Sequence, residues 1–260
     1  MSSRAEIHLV FRNLLVVCDV QTVPARCIPL LYWLSCCCRQ LTAISTLRQS
    51  LNLSLPSTWS NLSQLSTFYY SGTPGGTIEL TGHLPPSWGT MTNLTSFGVS
   101  DAEELSGPLP DAWNGMLNLQ SLTLTASNIS GTLPESWSNM TQLTEMAVSY
   151  SQVSGTLPAS WPAFTNLSII DLVENNLNGS LPMEWGNLIP FASVDLRNNS
   201  LSGSLPESWG GQSHLRYVAL VHNTLTSSVP AAWSSLNPLQ VLACSPLQEY
   251  IMVQVPCCCH

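Results

Sequence analysis

Eight of the nine tryptophans fall at Trp59, Trp88, Trp113, Trp137, Trp161, Trp185, Trp209 and Trp233, at spacings of 29, 25 and then a steady 24 residues. A proline stands three residues before each, from Pro56 to Pro230. A recurrence of this length excludes a single closed globule. Each unit is too short to bury its apolar side alone and must stack on its neighbours.

The unit is clearest from Leu119 to Trp137, LQSLTLTASNISGTLPESW, and returns from Leu167 and from Phe191. Around Leu122 and Leu124 the apolar positions alternate, so these side chains face inward while Ser121, Thr123 and Thr125 face the other way. The glycine and proline that follow suit a turn rather than a central strand. Leucines in this frame identify a leucine-rich repeat. The expected fold is a β-rich solenoid of α/β type, a right-handed superhelix with a parallel sheet on its concave face. Roughly nine units over residues 41–243 would give a sheet on the order of 40 Å long at ~4.8 Å per strand. Residues 1–40 read as an apolar, cysteine-rich lead, an atypical signal or a disordered segment, and residues 244–260 as a cysteine-rich tail.

The ninth position of each unit carries Asn175, Asn199 and Asn223 in the later units but Glu103, Ser127 and Ser151 earlier. Its amide can satisfy backbone groups between coils, so a partial asparagine ladder is expected. Two units are longer than 24 residues. The additions fall within YSGTPGGTIEL (Tyr70 to Leu80) and SDAEEL (Ser100 to Leu105), off the same edge of the sheet in adjacent coils, and the second groups Asp101, Glu103 and Glu104. Insertions on one flank of a solenoid often mark its binding side.

Charged residues make up 8% of the chain, against roughly 25% for an ordinary soluble domain. With only seven Lys and Arg and a net charge of −8, no basic stripe exists to neutralise phosphates, so a nucleic-acid partner is excluded. No nucleophile elbow, phosphate loop or H-E-x-x-H motif occurs, and His83, His214 and His222 sit at different repeat positions. The sequence therefore reads as a non-enzyme without cofactor or catalytic metal. The free sheet face remains as the candidate surface. Its ligand-binding candidates are Tyr69, Glu145, Asp171, Asp195, Arg197 and Tyr217, with aromatic and arginine side chains favoured as contact anchors. Asp171 and Asp195 share an offset in adjacent units, about 5 Å apart, with Arg197 near enough to compensate them.

A 24-residue unit ending in GxLP is similar to the extracellular repeats of plant receptor-like proteins, which rarely keep the tryptophan. SGTLPESW (Ser130 to Trp137) and SGTLPASW (Ser154 to Trp161) more specifically resemble the repeats of the kinetoplastid surface antigens typified by Leishmania surface antigen 2. That resemblance covers about Leu41 to Leu242. It implies a non-enzymatic cell-surface or secreted binding protein, typically held by a glycolipid, with a protein ligand or, second, a glycan. Membrane association rests on the resemblance alone. The apolar runs Ile7 to Cys18 and Ile28 to Cys38 fall short of the roughly 20 residues of a span, and LQEYIMVQVPCCCH is too short and polar for an anchor signal.

All nine cysteines lie outside the regular units. They read as disulfide-stapled caps, as metal ligands at Cys257 to His260, as acylation sites at Cys36 to Cys38, or as parts of loosely ordered ends. Eight N-x-S/T sequons occur, and about half at most are expected to be usable in a secretory compartment. Two other classes stay open: a passive glycosylated coat protein, and an intracellular interaction scaffold if the cysteines are reduced.

Overall fold

The computed structural model describes residues 6–11, 14–19, 41–47, 53–72, 80–188, 190–226, 228–236, 241–244 and 250–251. Nine parallel strands stack in chain order to form one long sheet: Leu41–Leu47, Thr67–Ser71, Ser96–Pro108, Ser121–Ser130, Glu145–Ser149, Ile169–Asp171, Ser193–Asp195, Tyr217–Leu220 and Val241–Cys244. Register follows the repeat, so Leu122 lies beside Met146 and Ile170 beside Val194. Antiparallel strands extend the sheet at both ends. Glu6–Phe11 and Leu14–Asp19 pair as a hairpin on Leu41–Leu47, and Tyr250–Ile251 closes on Val241–Cys244. The glycine-rich first insertion lies largely outside the described residues. So do all the cysteines except Cys18 and Cys244, and with them the capping, metal and acylation readings.

The LPxxW segment makes a short 3-10 helix on the outer side of each coil, such as Glu135–Asn139 or Glu207–Gly211. Proline enters this turn without loss, because its missing N–H would have no partner there. Its carbonyl works twice. The Pro182 carbonyl accepts the backbone N–H of Trp185 at 3.3 Å and the indole Nε1–H of Trp209, one coil on, at 3.0 Å. The indole-to-proline bond recurs from Trp88 to Trp233 at 2.8–3.4 Å. Among the described residues the first indole, Trp59, has no acceptor. The fixed P-x-x-W spacing thus encodes a hydrogen-bonded spine between coils.

Seven of the indoles are essentially inaccessible and many stack face to face, as Trp185 does on Trp209 with centroids 6.1 Å apart and planes 6° from parallel. Phe68, Phe97, Phe164 and Phe191 meet them mostly edge-on. Each buried indole removes about 150–250 Å² from water, worth ~4–6 kcal/mol at ~25 cal/mol per Å². The core is a continuous column lined by leucines from strand and turn. Gly179, at φ +76°, shows why the turn position needs glycine: a Cβ there would lie 2.9 Å from the Thr156 methyl, in a backbone region that side chains resist. Gly179 lies near the end of one strand of a second, four-stranded parallel sheet that runs down the flank: Ser154–Thr156, Asn176–Ser180, Ser200–Gly203 and Thr224–Leu225.

Candidate functional site on the concave sheet face

The free face of the long sheet is less accessible than its alternation suggests. Ala147, Ser149, Val173 and Ala219 belong to it, yet all are buried. Strands ~4.8 Å apart let larger neighbours cover small side chains. Tyr69 and Ile169 are exposed, while Glu145, Asp171, Asp195, Arg197 and Tyr217 are partly open. The face therefore presents a few projecting groups on a closed floor.

Four of the expected residues converge near its C-terminal end. Asp171 and Asp195 are register partners on adjacent strands. Arg197 does not straddle them. Its Nε donates to Asp195 Oδ1 at 2.8 Å and Oδ2 at 3.0 Å, and its terminal nitrogen lies 2.7 Å from Oδ2. Asp195 Oδ1 also accepts the Arg197 backbone N–H, and Oδ2 accepts the Tyr217 hydroxyl at 3.3 Å. Asp195 is thus saturated and mostly covered, while the Arg197 side chain keeps 44% of its surface open. Asp171 turns one oxygen to the Val173 N–H at 3.2 Å and lacks an ion-pair partner of its own among the described residues.

The charges follow this arrangement. Burial raises the Asp171 pKa above its ordinary value, against the pull of the Val173 N–H, and the Asp195 carboxylate pushes it the same way while Arg197 opposes. The hydrogen bond to Asp195 fixes Arg197 in its charged state. Tyr217 is raised by burial first and by Asp195 second, so its hydroxyl stays a neutral donor. The cluster offers an oriented guanidinium, a phenol and a carboxylate held in reserve.

Tyr69 lies elsewhere on the same face. Its ring edge occupies the space a Cβ on residue 98 would need, so glycine at 98 is what lets the ring lean over. Its hydroxyl bonds Ser96 Oγ at 2.8 Å. Beside it a depression of about 320 Å³ is lined by Ser45, Tyr70, Ser71, Val99, Ser100 and Thr123. Glu145 stands on the strand between the two regions without joining either cluster.

The second insertion departs from expectation. Glu103 does not occupy the ladder position. Ala102 does, fully buried and paired with Ser127, and the added residue follows it. A carboxylate could not be buried there unpaired, so the chain bulges and both Glu103 and Glu104 face solvent. Asp101 turns the corner at φ +52°. Its carbonyl lies against Gly72, whose N–H bonds Ser100, so the two expanded coils do meet at one edge.

Among the described residues no group of histidine, cysteine and carboxylate side chains could hold a metal ion. Within the same residues no helix is long and apolar enough to cross a membrane.

The model of the family described as Leucine Rich Repeat matches residues 118–140 and 192–212. The fold is a leucine-rich-repeat solenoid. The LRR ectodomain of the Arabidopsis receptor kinase HAESA, solved with an N-terminally extended IDA peptide hormone, is 30% identical over 79% of this chain and 34% of its own, with a TM-score of 0.68. The complex of HAESA with IDA and the co-receptor SERK1 gives 25% identity, 79% and 33% coverage and a TM-score of 0.71. The LRR ectodomain of GASSHO1/SCHENGEN3 from Arabidopsis thaliana, in complex with CASPARIAN STRIP INTEGRITY FACTOR 2, is 24% identical over 77% of this chain and 26% of its own, at a TM-score of 0.66. The chain spans about a third or less of the length of these ectodomains. No curated protein matches it.

Proposed function

We propose that this leucine-rich-repeat chain is a non-enzymatic recognition module that binds a polypeptide ligand along its concave sheet, at a cell surface or after secretion. The observation that carries the reading is the Asp195–Arg197–Tyr217 cluster with Asp171 beside it. In a chain with so few charges, an oriented guanidinium and a phenol project together from an otherwise closed floor. Interfaces concentrate their energy in such arginine and tyrosine anchors. HAESA, of similar fold, is solved with a peptide hormone. The surface placement is supported by the likeness to ectodomains and by the SGTLPESW resemblance.

Panning a random peptide library against the full chain tests this. Selected peptides should lose about tenfold or more in affinity, or ~1.4 kcal/mol, when Arg197→Ala and Tyr217→Ala are combined. Peptides that bind the double variant unchanged would remove the concave cluster from the site.

A second reading, a glycan ligand, is favoured by one observation: the exposed Tyr69 ring beside a concave depression of the sheet face. A glycan array separates the two, since sugar binding should vanish in Tyr69→Ala and survive the Arg197 and Tyr217 changes.

A further inference from the structure

The sequons are sorted by the fold. Three asparagines, Asn61, Asn139 and Asn178, have exposed side chains with no hydrogen bond among the described residues. Asn61 and Asn139 end the outer 3-10 turns Ser57–Asn61 and Glu135–Asn139, and Asn178 lies in the flank strand Asn176–Ser180. None is on the concave strands.

Four others are engaged. The Asn93 amide donates to the Ser63 carbonyl at 2.6 Å and the Asn166 amide to Thr141 at 2.8 Å, each reaching the preceding coil. Asn118, outside any sequon, makes the same bond to Thr92 at 2.7 Å, so this is a structural rung of the outer side. Asn128 donates to the Glu103 carbonyl at 2.6 Å and accepts from Gln152 at 2.9 Å. Asn198 holds the corner at φ +55° and donates to Glu174 at 3.2 Å. Asn52 lies outside the described residues.

We infer that, among the described residues, Asn61, Asn139 and Asn178 are the N-glycan acceptors, and that their sugars cover the outer and flank sides while the concave face stays bare. The inference rests on the secretory placement proposed above. The co-reactant is a lipid-pyrophosphate-linked oligosaccharide. The amide nitrogen attacks the anomeric carbon, an N-glycosidic bond forms as the bond to the pyrophosphate breaks, and the nitrogen gives up one proton. Transfer takes place on the extended chain, so the fold acts as the later filter. At Asn93, Asn128 and Asn166 a sugar would replace one of the two amide hydrogens and set its bulk on a nitrogen already held against the neighbouring coil's carbonyl, which works against closing the stack. On the three free asparagines the sugar meets only water.

The test is site mapping of the full chain carried into a eukaryotic secretory route by a fused cleavable signal, with enzymatic deglycosylation in heavy-oxygen water marking each occupied asparagine. The secreted protein should be marked at Asn61, Asn139 and Asn178 and unmarked at Asn93, Asn128, Asn166 and Asn198, and in a chain that also carries Asn52→Gln the combined Asn61→Gln, Asn139→Gln and Asn178→Gln changes should bring migration to that of the deglycosylated protein. Comparable marking of any of the four engaged sites, or three empty free sites in secreted protein, overturns the inference. Ser121→Asn, which creates a new sequon with Thr123 on the concave sheet, separates this from the binding reading. Unimpaired peptide binding by the glycosylated variant would sink the concave site and leave the acceptor assignment standing. Protein from the native cell that carries none of the three sugars would overturn both the secretory placement and the assignment.

Discussion

The corner between the concave and flank strands is built in two ways along the same molecule. From Leu167 onward the described corners carry an asparagine, buried at Asn175 and Asn199 and partly buried at Asn223. Asn199 donates to the carbonyls of Leu172, Leu196 and Arg197 at 2.9–3.2 Å and accepts the Leu177 N–H at 3.0 Å, so one side chain ties its own coil to both sides of the preceding corner. Earlier coils hold Ala102 and Ser127 at that position, and Ser127 makes a single hydroxyl contact with Ser151 at 3.1 Å. The strands respond. Ser96–Pro108 and Ser121–Ser130 run unbroken around the corner, whereas Ile169–Asp171 and Asn176–Ser180 are separate. Buried backbone groups must find partners. Where an amide supplies them the corner folds tightly, and where it is missing the strand ladder continues instead.

The largest effect should come from breaking the amide corner. Asn199→Ala strands a buried N–H and several carbonyls, at about 1–3 kcal/mol per unsatisfied group and ~3–4 kcal/mol in all. Ser127→Ala loses one hydroxyl pair in a corner whose backbone is already paired and should cost about 1 kcal/mol. Urea denaturation of both variants measures the contrast. Equal losses would mean that the asparagine adds nothing beyond the ladder it replaces.

Much of this was legible in the chain. The 24-residue recurrence specified the stacked coils, the alternation around Leu122 placed the core, and the asparagines at the ninth position announced the corner bonds. The one-residue insertion misled, because counting along the chain put Glu103 at a site that only packing could assign to Ala102. The site was legible only in outline. Alternation along the strands pointed to Asp171, Asp195, Arg197 and Tyr217 as candidates, but it could not show that Arg197 pairs with Asp195 rather than Asp171, or that Ala219 and Val173 are covered. The outer rung of Asn93, Asn118 and Asn166 was missed, although the Asn-Leu pair at the start of these three units was its signal. The corner residue itself leaves no mark. Asp101, Ala126, Tyr150, Glu174, Asn198 and His222 all have φ between +52° and +58° and share no chemistry.

That corner residue supplies a smaller test of the same contrast. A left-handed backbone costs an ordinary residue ~1–2 kcal/mol, and asparagine tolerates it better. Ala126→Asn in the serine region should therefore gain about 0.5–1 kcal/mol, and Asn198→Ala in the asparagine region should lose a similar amount beyond its Glu174 bond. Thermal melts of the two variants check the signs. A loss in Ala126→Asn would show that the continuous strand, rather than the dihedral, governs the early corners.

The smallest effect concerns charge and belongs to the later coils alone. The same row of the sheet carries Thr123 and Ala147 before Asp171 and Asp195. Burial holds the Asp171 pKa above 3.8, its ordinary value. The folded chain thus binds this proton more tightly than the unfolded chain does, and ionisation of Asp171 costs stability. Its favourable contribution is present below the unfolded value and is lost as pH rises through the folded one. Asp171→Asn keeps an acceptor for the Val173 N–H and removes the buried charge, so its melting temperature should exceed that of the parent at neutral pH. The gain should shrink as pH falls and vanish once the parent carboxylate is protonated. Asp195→Asn, which unpairs Arg197, should lower the melting temperature at neutral pH instead. Opposite signs at register partners on neighbouring strands would establish that Arg197 serves one carboxylate and leaves the other unpaired. A melting temperature that drops equally in both variants would show the guanidinium shared between them.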